Sequence, residues 1–232
     1  MKKVLLFSGG LDSMLLEWIV KPDILLYVDM HTRYSQRELE YLATLPSRYT
    51  DRLIIPQFPL GEYERADSII PYRNLMLAEI ALQYASEVYL GFTYQDTALD
   101  CSRDFLKKAN YLLNSISDMP ISIKAPLHSL TKSEAVKKCL DLGMPKELIQ
   151  SAHTCYSDSK KGCGKCLPCW NKAVALLNNG LFDKDLFDEP IPLELFYESF
   201  IWYARNVGYN KFKNKHFKEV TKAFELIRQI QK

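Results

Sequence analysis

Two spacings of apolar positions alternate along the first half of the chain. Short apolar runs predict buried strands at residues 3–7, 24–28, 53–55, 88–90 and 121–123. Apolar residues at helical spacing predict helices at residues 12–20, 35–45, 74–85, 104–116 and 131–142, with Ser35 as the N-cap of the second. Strands that alternate with helices predict an α/β fold with a mostly parallel sheet. Ligands of such sheets bind beyond the carboxyl ends of the strands, where we expect Ser8, Asp29 and Gly91 to converge.

The pattern changes after residue 150. A cysteine-rich stretch comes first, and two helical stretches rich in aromatic residues follow at 193–207 and 212–231. We therefore predict a first domain at residues 1–150 and a second region at residues 151–232, which combines a cysteine-rich loop with helices.

Composition and charge narrow the class of protein. The 232 residues are 47% hydrophobic, which suffices for a globular core. No apolar run approaches the ~20 residues that span a bilayer, and Met-Lys-Lys leads into a strand rather than a cleavable signal, so we expect a cytoplasmic protein without a membrane partner. The net charge of +2 disfavours a nucleic acid substrate, and we interpret the basic run at 211–218 as a solvated helix face.

The most informative local pattern is Phe-Ser-Gly-Gly-Leu-Asp-Ser at residues 7–13, between the first strand and the first helix. The glycines let the backbone approach an anion, the helix start supplies N–H groups, and the hydroxyls of Ser8 and Ser13 can donate. Asp12 can hold Mg²⁺ beside a pyrophosphate. The alternative is an ordinary turn with an Asx-type cap. The pattern lacks the Gly-Lys-Ser/Thr ending of the kinase P-loop and resembles the pyrophosphate loop of ATP pyrophosphatases.

Four of the six cysteines share one short stretch: Cys155, Cys163, Cys166 and Cys169. Four thiolates at the spacing Cys-x7-Cys-x2-Cys-x2-Cys suit a tetrahedral structural Zn²⁺, which leaves no position open for chemistry. An iron–sulfur cluster is the competing interpretation. Disulfides fit poorly, because nothing in the sequence indicates secretion.

Further motifs make a family resemblance specific. They lie at residues 34–36, 71–74, 91–101 and 126–134. With the pyrophosphate-type loop and the four cysteines, the chain resembles the 7-cyano-7-deazaguanine synthase family, which makes the nitrile precursor of queuosine. The resemblance covers residues 4–169. It implies a Rossmann-like parallel sheet of the adenine nucleotide alpha hydrolase type, with helices on both faces and a small zinc-binding, helical C-terminal region.

The activity that the resemblance implies is an ATP-dependent carbon–nitrogen ligation. ATP adenylates 7-carboxy-7-deazaguanine, ammonia converts the acyl-AMP to the amide, and a second ATP activates the amide so that loss of AMP leaves the nitrile. The implied ATP-binding residues are Phe7, Ser8, Gly9, Gly10, Leu11, Asp12 and Ser13. Catalytic roles fall to Asp12 with Mg²⁺, to Ser13, and to Lys132 as a cation beside the phosphates.

The implied substrate-binding residues are Arg73, Asn74, Asp96 and Asp100. Arg73 is expected to hold the substrate carboxylate and Asn74 the ribose or base. Asp96 and Asp100 suit the N–H edge of a deazaguanine. The alternatives are turn chemistry for the two aspartates and helix capping by Asn74. Cys101, in the same segment, is not expected to act as a nucleophile.

The sequence departs from the family pattern in two respects. An arginine usually follows the last cysteine closely, whereas Trp170-Asn171-Lys172 follows it here, and Lys172 is the candidate substitute. The segment after Cys169 is also rich in aromatic residues. We expect these to pack onto the core, and the alternative is a homodimer or partner interface.

Three other functions stay open beside the ligase. A related deazaguanine adenylase would end at the amide or transfer the activated group to another acceptor. A tRNA-modifying adenylase would need a basic surface, which the charge balance disfavours. A non-catalytic nucleotide-binding module would bind ATP without turnover. On the leading interpretation the partners are small molecules: ATP, 7-carboxy-7-deazaguanine and ammonia.

Overall fold

The computed structural model describes residues 1–66, 69–96, 98–157, 159, 161–206 and 215–230. Its contacts divide the chain into two compact units, Met1–Ser129 and Leu130–Lys232. Among the described residues, none of the helices combines the length and the apolar content that a membrane span requires.

The first unit contains a parallel sheet and the helices that connect its strands. The described strands are β1 (Lys3–Leu6), β2 (Ile24–Leu26), β3 (Leu53–Ile54), β4 (Glu87–Tyr89) and β5 (Ser122–Lys124). The described helices are α1 (Leu11–Val20), α2 (Ser35–Ala43), α3 (Ser47–Thr50), α4 (Arg73–Leu82) and α5 (Arg103–Ser115), with 3-10 turns at Gly61–Tyr63 and Leu99–Cys101. These elements confirm the predicted strands and helices, with ends that shift by no more than three residues, and add α3.

The sheet has the order β3-β2-β1-β4-β5, and every neighbouring pair is parallel. Successive side chains of a strand point to opposite faces, and both Val4 and Leu5 are fully buried, so both faces of β1 are covered. The strand order reverses at β1. The carboxyl ends of β1 and β4 therefore flank the crevice where α/β sheets of this kind bind their ligands.

One detail of α2 differs from the prediction. Ser35 is the first helical residue rather than the N-cap, which is Tyr34. The Ser35 hydroxyl instead accepts a hydrogen bond from the Thr32 N–H, at 2.9 Å, in a buried turn. The hydroxyl therefore stabilises the entry into the helix from one turn earlier.

The second unit is helical, with the cysteine-rich loop between its helices. The described helices are α6 (Lys132–Asp141), α7 (Lys146–Ser151), α8 (Leu167–Asn178), α9 (Leu193–Asn206) and α10 (Lys215–Ile230), with a 3-10 turn at Lys184–Leu186. Helix α8 is central, since it packs against both α6 and α10. Because α6 packs on α8, the division of the chain falls before the boundary that we predict at residues 150 and 151.

Aromatic residues after the cysteine loop build the core of this unit. Trp170 of α8 stacks on Phe196 of α9 with ring centroids 5.2 Å apart, and Tyr197 stacks on Phe224 of α10 at 4.2 Å. Phe187 is buried in the same cluster. These residues bear out the expected packing onto the core. Trp202, Tyr203, Tyr209 and Phe212, and residues 211–214 of the basic run, lie outside the residues or side chains that the structure describes.

Candidate active site and metal centre

The loop at residues 7–13 leaves β1 and enters α1 at the switch point of the sheet. Phe7 is 1% exposed and stacks on Tyr49, with ring centroids 5.8 Å apart. Leu11 is also buried. Both side chains therefore anchor the loop in the core, and what they offer a ligand is their backbone.

Gly9 sets the shape of this loop. Its φ is +73°, and a Cβ at this position would lie 2.6 Å from the Tyr41 ring. Glycine is therefore required both by the backbone conformation and by the approach of α2. Gly10 is the N-cap of α1 and carries no side chain to accept from the first-turn N–H groups. A helix start with glycine at the N-cap suits an anionic ligand.

The two hydroxyls of the loop differ in their hydrogen bonds. Ser13 is buried and donates to the Gly10 carbonyl at 3.0 Å, so its proton is used within the loop. Ser8 accepts from the Gly10 N–H at 3.4 Å and keeps its own proton. The structure therefore supports Ser8 as a donor to a ligand more directly than Ser13. Asp12 lies in the first turn of α1, where the helix dipole favours a negative charge.

The exit of β4 lies beside this loop. A Cβ placed on Gly91 would be 3.6 Å from the Ser13 Cα atom, so the two segments converge as expected. Asp29, after β2, is 5% exposed and pairs through its backbone with Gln57. Its carboxylate accepts from the His31 N–H at 3.0 Å, and this turn fixes its orientation.

Asp96 and Asp100 both have structural roles after β4. Asp96 Oδ2 accepts from the Thr93 N–H at 2.6 Å and from the Thr93 hydroxyl at 2.9 Å, which closes the turn. Asp100 Oδ2 accepts from the Asn74 N–H at 3.0 Å, in the first turn of α4. The turn chemistry that we considered as the alternative is therefore present for Asp96, and Asp100 caps a neighbouring helix. Their contact with substrate stays a prediction.

Arg73 and Asn74 form the start of α4, whose N-cap is Tyr72 in the left-handed conformation. Asn74 does not cap the helix with its side chain. Its amide donates to the Asp100 carbonyl at 3.1 Å and to Cys101 Sγ at 3.2 Å. Burial raises the pKa of the Cys101 thiol to about 12, which keeps it neutral and agrees with the expectation that it is no nucleophile.

The sequence prediction missed a cluster at the end of β2. Tyr27 donates from its hydroxyl to Glu38 Oε2 of α2 at 2.8 Å. Burial raises the pKa of the Glu38 carboxyl to about 7, while the hydrogen bond from Tyr27 and the charge of Arg73 act in the opposite direction. Glu38 precedes the buried Leu42 by one helical turn. This spacing, which puts Glu38 on the inner side of α2, is the signal that could have identified it.

Lys132 opens α6 in the second unit. The N-cap is Thr131, and Glu134 completes a capping box: the Glu134 N–H donates to the Thr131 hydroxyl at 3.1 Å, and the Thr131 N–H donates to Glu134 Oε2 at 3.0 Å. The helix start that carries Lys132 is therefore well defined. The role of Lys132 beside the phosphates stays a prediction.

The four cysteines of the second unit form a compact set. Their sulfur atoms all lie within 4.8 Å of one another. Cys155 Sγ is 3.9 Å from Cys166 Sγ, and Cys163 Sγ is 4.0 Å from Cys169 Sγ. Backbone N–H groups of the same loop point at the sulfurs, such as that of Cys163 at Cys155, at 3.3 Å. Such donors stabilise thiolates, so the arrangement is compatible with a metal site.

Glycine shapes this loop as well. Gly164 has a φ of +76°, and a Cβ there would lie 2.2 Å from the Glu189 carbonyl oxygen. Any other residue would therefore push the loop away from the segment that packs on it. The close approach holds the cysteine-bearing turn in place before α8 begins.

Lys172, the candidate substitute for the arginine, makes its hydrogen bonds within the second unit. It is buried, and its Nζ donates to the carbonyls of Gln150 and Ala152, each at 2.7 Å. Burial lowers the pKa of its ammonium group to about 8. Lys172 thus ties the end of α7 to α8.

The sequence is similar to those of several known proteins. The sequence model of the family described as "Queuosine biosynthesis protein QueC" matches residues 41–180. A 7-cyano-7-deazaguanine synthase of Nitratiruptor sp. is 26% identical, with 79% of this chain and 97% of that protein covered. The synthase of Archaeoglobus fulgidus is 28% identical, with 82% and 91% covered. A solved chain from Methanocaldococcus jannaschii, described as a predicted subunit of tRNA methyltransferase, is 18% identical over 60% of this chain and 76% of its own, with a TM-score of 0.43.

Proposed function

The chain belongs to the family of the queuosine biosynthesis protein QueC, and from this premise we propose that it is an ATP-dependent ligase. It converts 7-carboxy-7-deazaguanine and ammonia to 7-cyano-7-deazaguanine, the reaction for which its relatives are named. The carboxylate is adenylated and converted to the amide. A second adenylation then leads to the nitrile.

The start of α1 is the observation that carries this proposal. Gly10 offers no side-chain cap, so the first-turn N–H groups of α1 suit the β- and γ-phosphates of ATP. Ser8 adds a hydroxyl donor, and Asp12 adds a carboxylate. Hard oxygen donors of this kind fit Mg²⁺, which would neutralise charge on the departing pyrophosphate.

Residues at the start of α4 and after β4 are assigned to the deazaguanine. The guanidinium of Arg73 suits the carboxylate of the substrate, because its fork of donors matches two carboxylate oxygens. Asp96 and Asp100 each accept hydrogen bonds of the protein through Oδ2. A carboxylate has further lone pairs, with which it can accept from the N–H edge of the base.

We assign structural Zn²⁺ to the four cysteines. A tetrahedral ion with Zn–S bonds of about 2.3 Å needs sulfur atoms roughly 3.8 Å apart. The separations of 3.9 and 4.0 Å between opposite cysteines support a single ion. An iron–sulfur cluster would put several atoms between the sulfurs and hold them further apart.

The proposal is tested by mass spectrometry of the products formed from ATP, Mg²⁺, ammonium and 7-carboxy-7-deazaguanine. We expect the nitrile, AMP and pyrophosphate. The variant Asp12→Asn should lose at least about 100-fold in turnover, because it removes charge at the phosphates. The exposed Asp51→Asn, in the same unit, is the matched control and should keep full activity.

Other outcomes would redirect or reject the assignment. An amide as the final product would move the protein to a related adenylase that stops one step earlier. Absence of ATP turnover in folded protein that carries its metal would reject the ligase.

A further inference from the structure

The cluster at the end of β2 contains an ionisable group that the proposed function does not use. Glu38 accepts from the Tyr27 hydroxyl at 2.8 Å, and Tyr27 is 6% exposed. The charged groups that face Glu38 are Arg73, from α4, and Asp29, after β2. These side chains lie at the carboxyl edge of the sheet, where ligands of such folds bind.

A purely structural role does not require a carboxyl group at this position. A glutamine would accept the hydrogen bond of Tyr27 equally well, without the cost of a charge removed from water. Burial outweighs the attraction of Arg73, so the pKa of Glu38 is about 7. At neutral pH the group therefore takes up and releases a proton readily, which is what a general base must do.

We propose that Glu38 is the general base that receives the proton when ammonia attacks the adenylated substrate. This role rests on the proposed function. The nitrogen lone pair forms the new C–N bond, and the C–O bond to AMP breaks with its electron pair on the phosphate oxygen. The proton lost from nitrogen passes to the Glu38 carboxylate, and the neutral amide remains.

Arg73 connects Glu38 with the reacting carbon. In the proposed function, Arg73 binds the carboxylate of the substrate. The carbon atom of that carboxylate is the one that ammonia attacks after adenylation. The same guanidinium acts electrostatically on Glu38. Tyr27 holds one carboxylate oxygen and so orients the group.

The test separates adenylation from the attack of ammonia. Exchange of labelled pyrophosphate into ATP, dependent on 7-carboxy-7-deazaguanine, reports adenylation alone. The rate of amide and nitrile formation reports the attack of ammonia. It is measured from about pH 6 to about pH 9 and divided by the concentration of free ammonia at each pH. The variant is Glu38→Gln, and the matched control is Glu40→Gln, an exposed residue of the same helix that pairs with Arg37.

We expect the pyrophosphate exchange rate of Glu38→Gln to stay within about threefold of that of the unmodified protein. The rate of its ammonia step should fall at least about 100-fold, and the rise of that rate with pH near neutrality, expected of the unmodified protein, should disappear. Hydroxylamine should restore product formation, as the hydroxamate, because its less basic nitrogen releases its proton without help. Tyr27→Phe removes a hydrogen bond that lowers the pKa of Glu38, so the rise should move to higher pH.

Three results would overturn the role. Glu38→Gln and Glu40→Gln could behave alike with ammonia at every pH. Glu38→Gln could lower the rate of pyrophosphate exchange as much as the rate of ammonia attack. It could also lower the rate of product formation with hydroxylamine as much as the rate with ammonia. Either result would indicate a structural defect. If the unmodified protein shows no exchange with 7-carboxy-7-deazaguanine, the proposed function itself is rejected and the role of Glu38 falls with it.

Discussion

Glu38 links the stability of the protein to pH, independently of any substrate. Its pKa rises from 4.5 to about 7 on folding, so the native state binds its proton more tightly than the unfolded chain. The free energy of unfolding therefore falls as pH rises through this window. Glu38→Gln should be more stable than the unmodified protein at about pH 8, by up to about 3 kcal/mol, with no gain near about pH 4.

Urea unfolding at the two pH values measures this effect. Glu40→Gln should show no such difference, since Glu40 is exposed. A variant Glu38→Gln that is less stable at the higher pH would contradict the prediction, because it would mean that the ionised carboxylate stabilises the fold.

Asp100 illustrates a residue with two assignments, one structural and one functional. Its carboxylate accepts from the Asn74 N–H at the start of α4. We expect Asp100→Ala to lower the free energy of unfolding by about 1 to 2 kcal/mol through loss of this cap. Asp104→Ala, an exposed residue paired with Lys108, should change stability by less than about 0.5 kcal/mol.

Kinetics then separates the two assignments of Asp100. If the carboxylate also binds the deazaguanine, the KM for that substrate rises at a temperature where the variant is fully folded, while the KM for ATP changes little. Equal KM values for the deazaguanine in the variant and the unmodified protein would leave Asp100 with the helix cap alone.

At the scale of elements, we expect the cysteine loop before α8 to depend on a bound metal ion. Its four sulfurs lie within 4.8 Å of one another and contact the core cluster around Trp170. Without an ion, thiolates this close repel one another, so chelation should loosen the loop and the start of α8. We expect one zinc per chain by elemental analysis, and faster hydrogen exchange in residues 155–178 after the metal is removed.

Two variants sharpen this prediction. Cys166→Ser removes a ligand and should lower both metal content and the melting temperature. Cys139→Ala changes a buried cysteine of α6 that does not belong to the cluster, so metal content should stay the same. A full complement of metal in Cys166→Ser would contradict the assignment of that residue, and a visible absorption band from iron would contradict zinc.

The elements differ in how far the sequence predicts them. Apolar periodicity identifies the strands and most helices, because the sheet is buried on both faces. Helix α8 is not predicted, since Cys166 is its N-cap and its first turn carries Pro168 and Cys169, which the sequence pattern places in a loop. The loop at residues 7–13 and the four cysteines stand out because their chemistry is local in the sequence. Glu38 and Lys172 do not, because their roles arise from burial and from partners distant along the chain.

At the scale of the whole molecule, charge separates the ligase from a tRNA-modifying adenylase. Binding to a polyanion requires several cations on one surface, whereas this chain carries 30 basic and 28 acidic residues. We therefore expect tRNA to change pyrophosphate release by less than about twofold between about 50 and about 200 mM salt.

The measurement needs a constant concentration of free Mg²⁺, since tRNA binds the ion that ATP requires. Polyglutamate at the same charge concentration serves as the control for non-specific effects. Pyrophosphate release that depends on tRNA, and falls steeply with salt, would contradict the small-molecule assignment. Release that depends only on 7-carboxy-7-deazaguanine and ammonia is expected if the crevice at the switch point acts on a free base, as we propose.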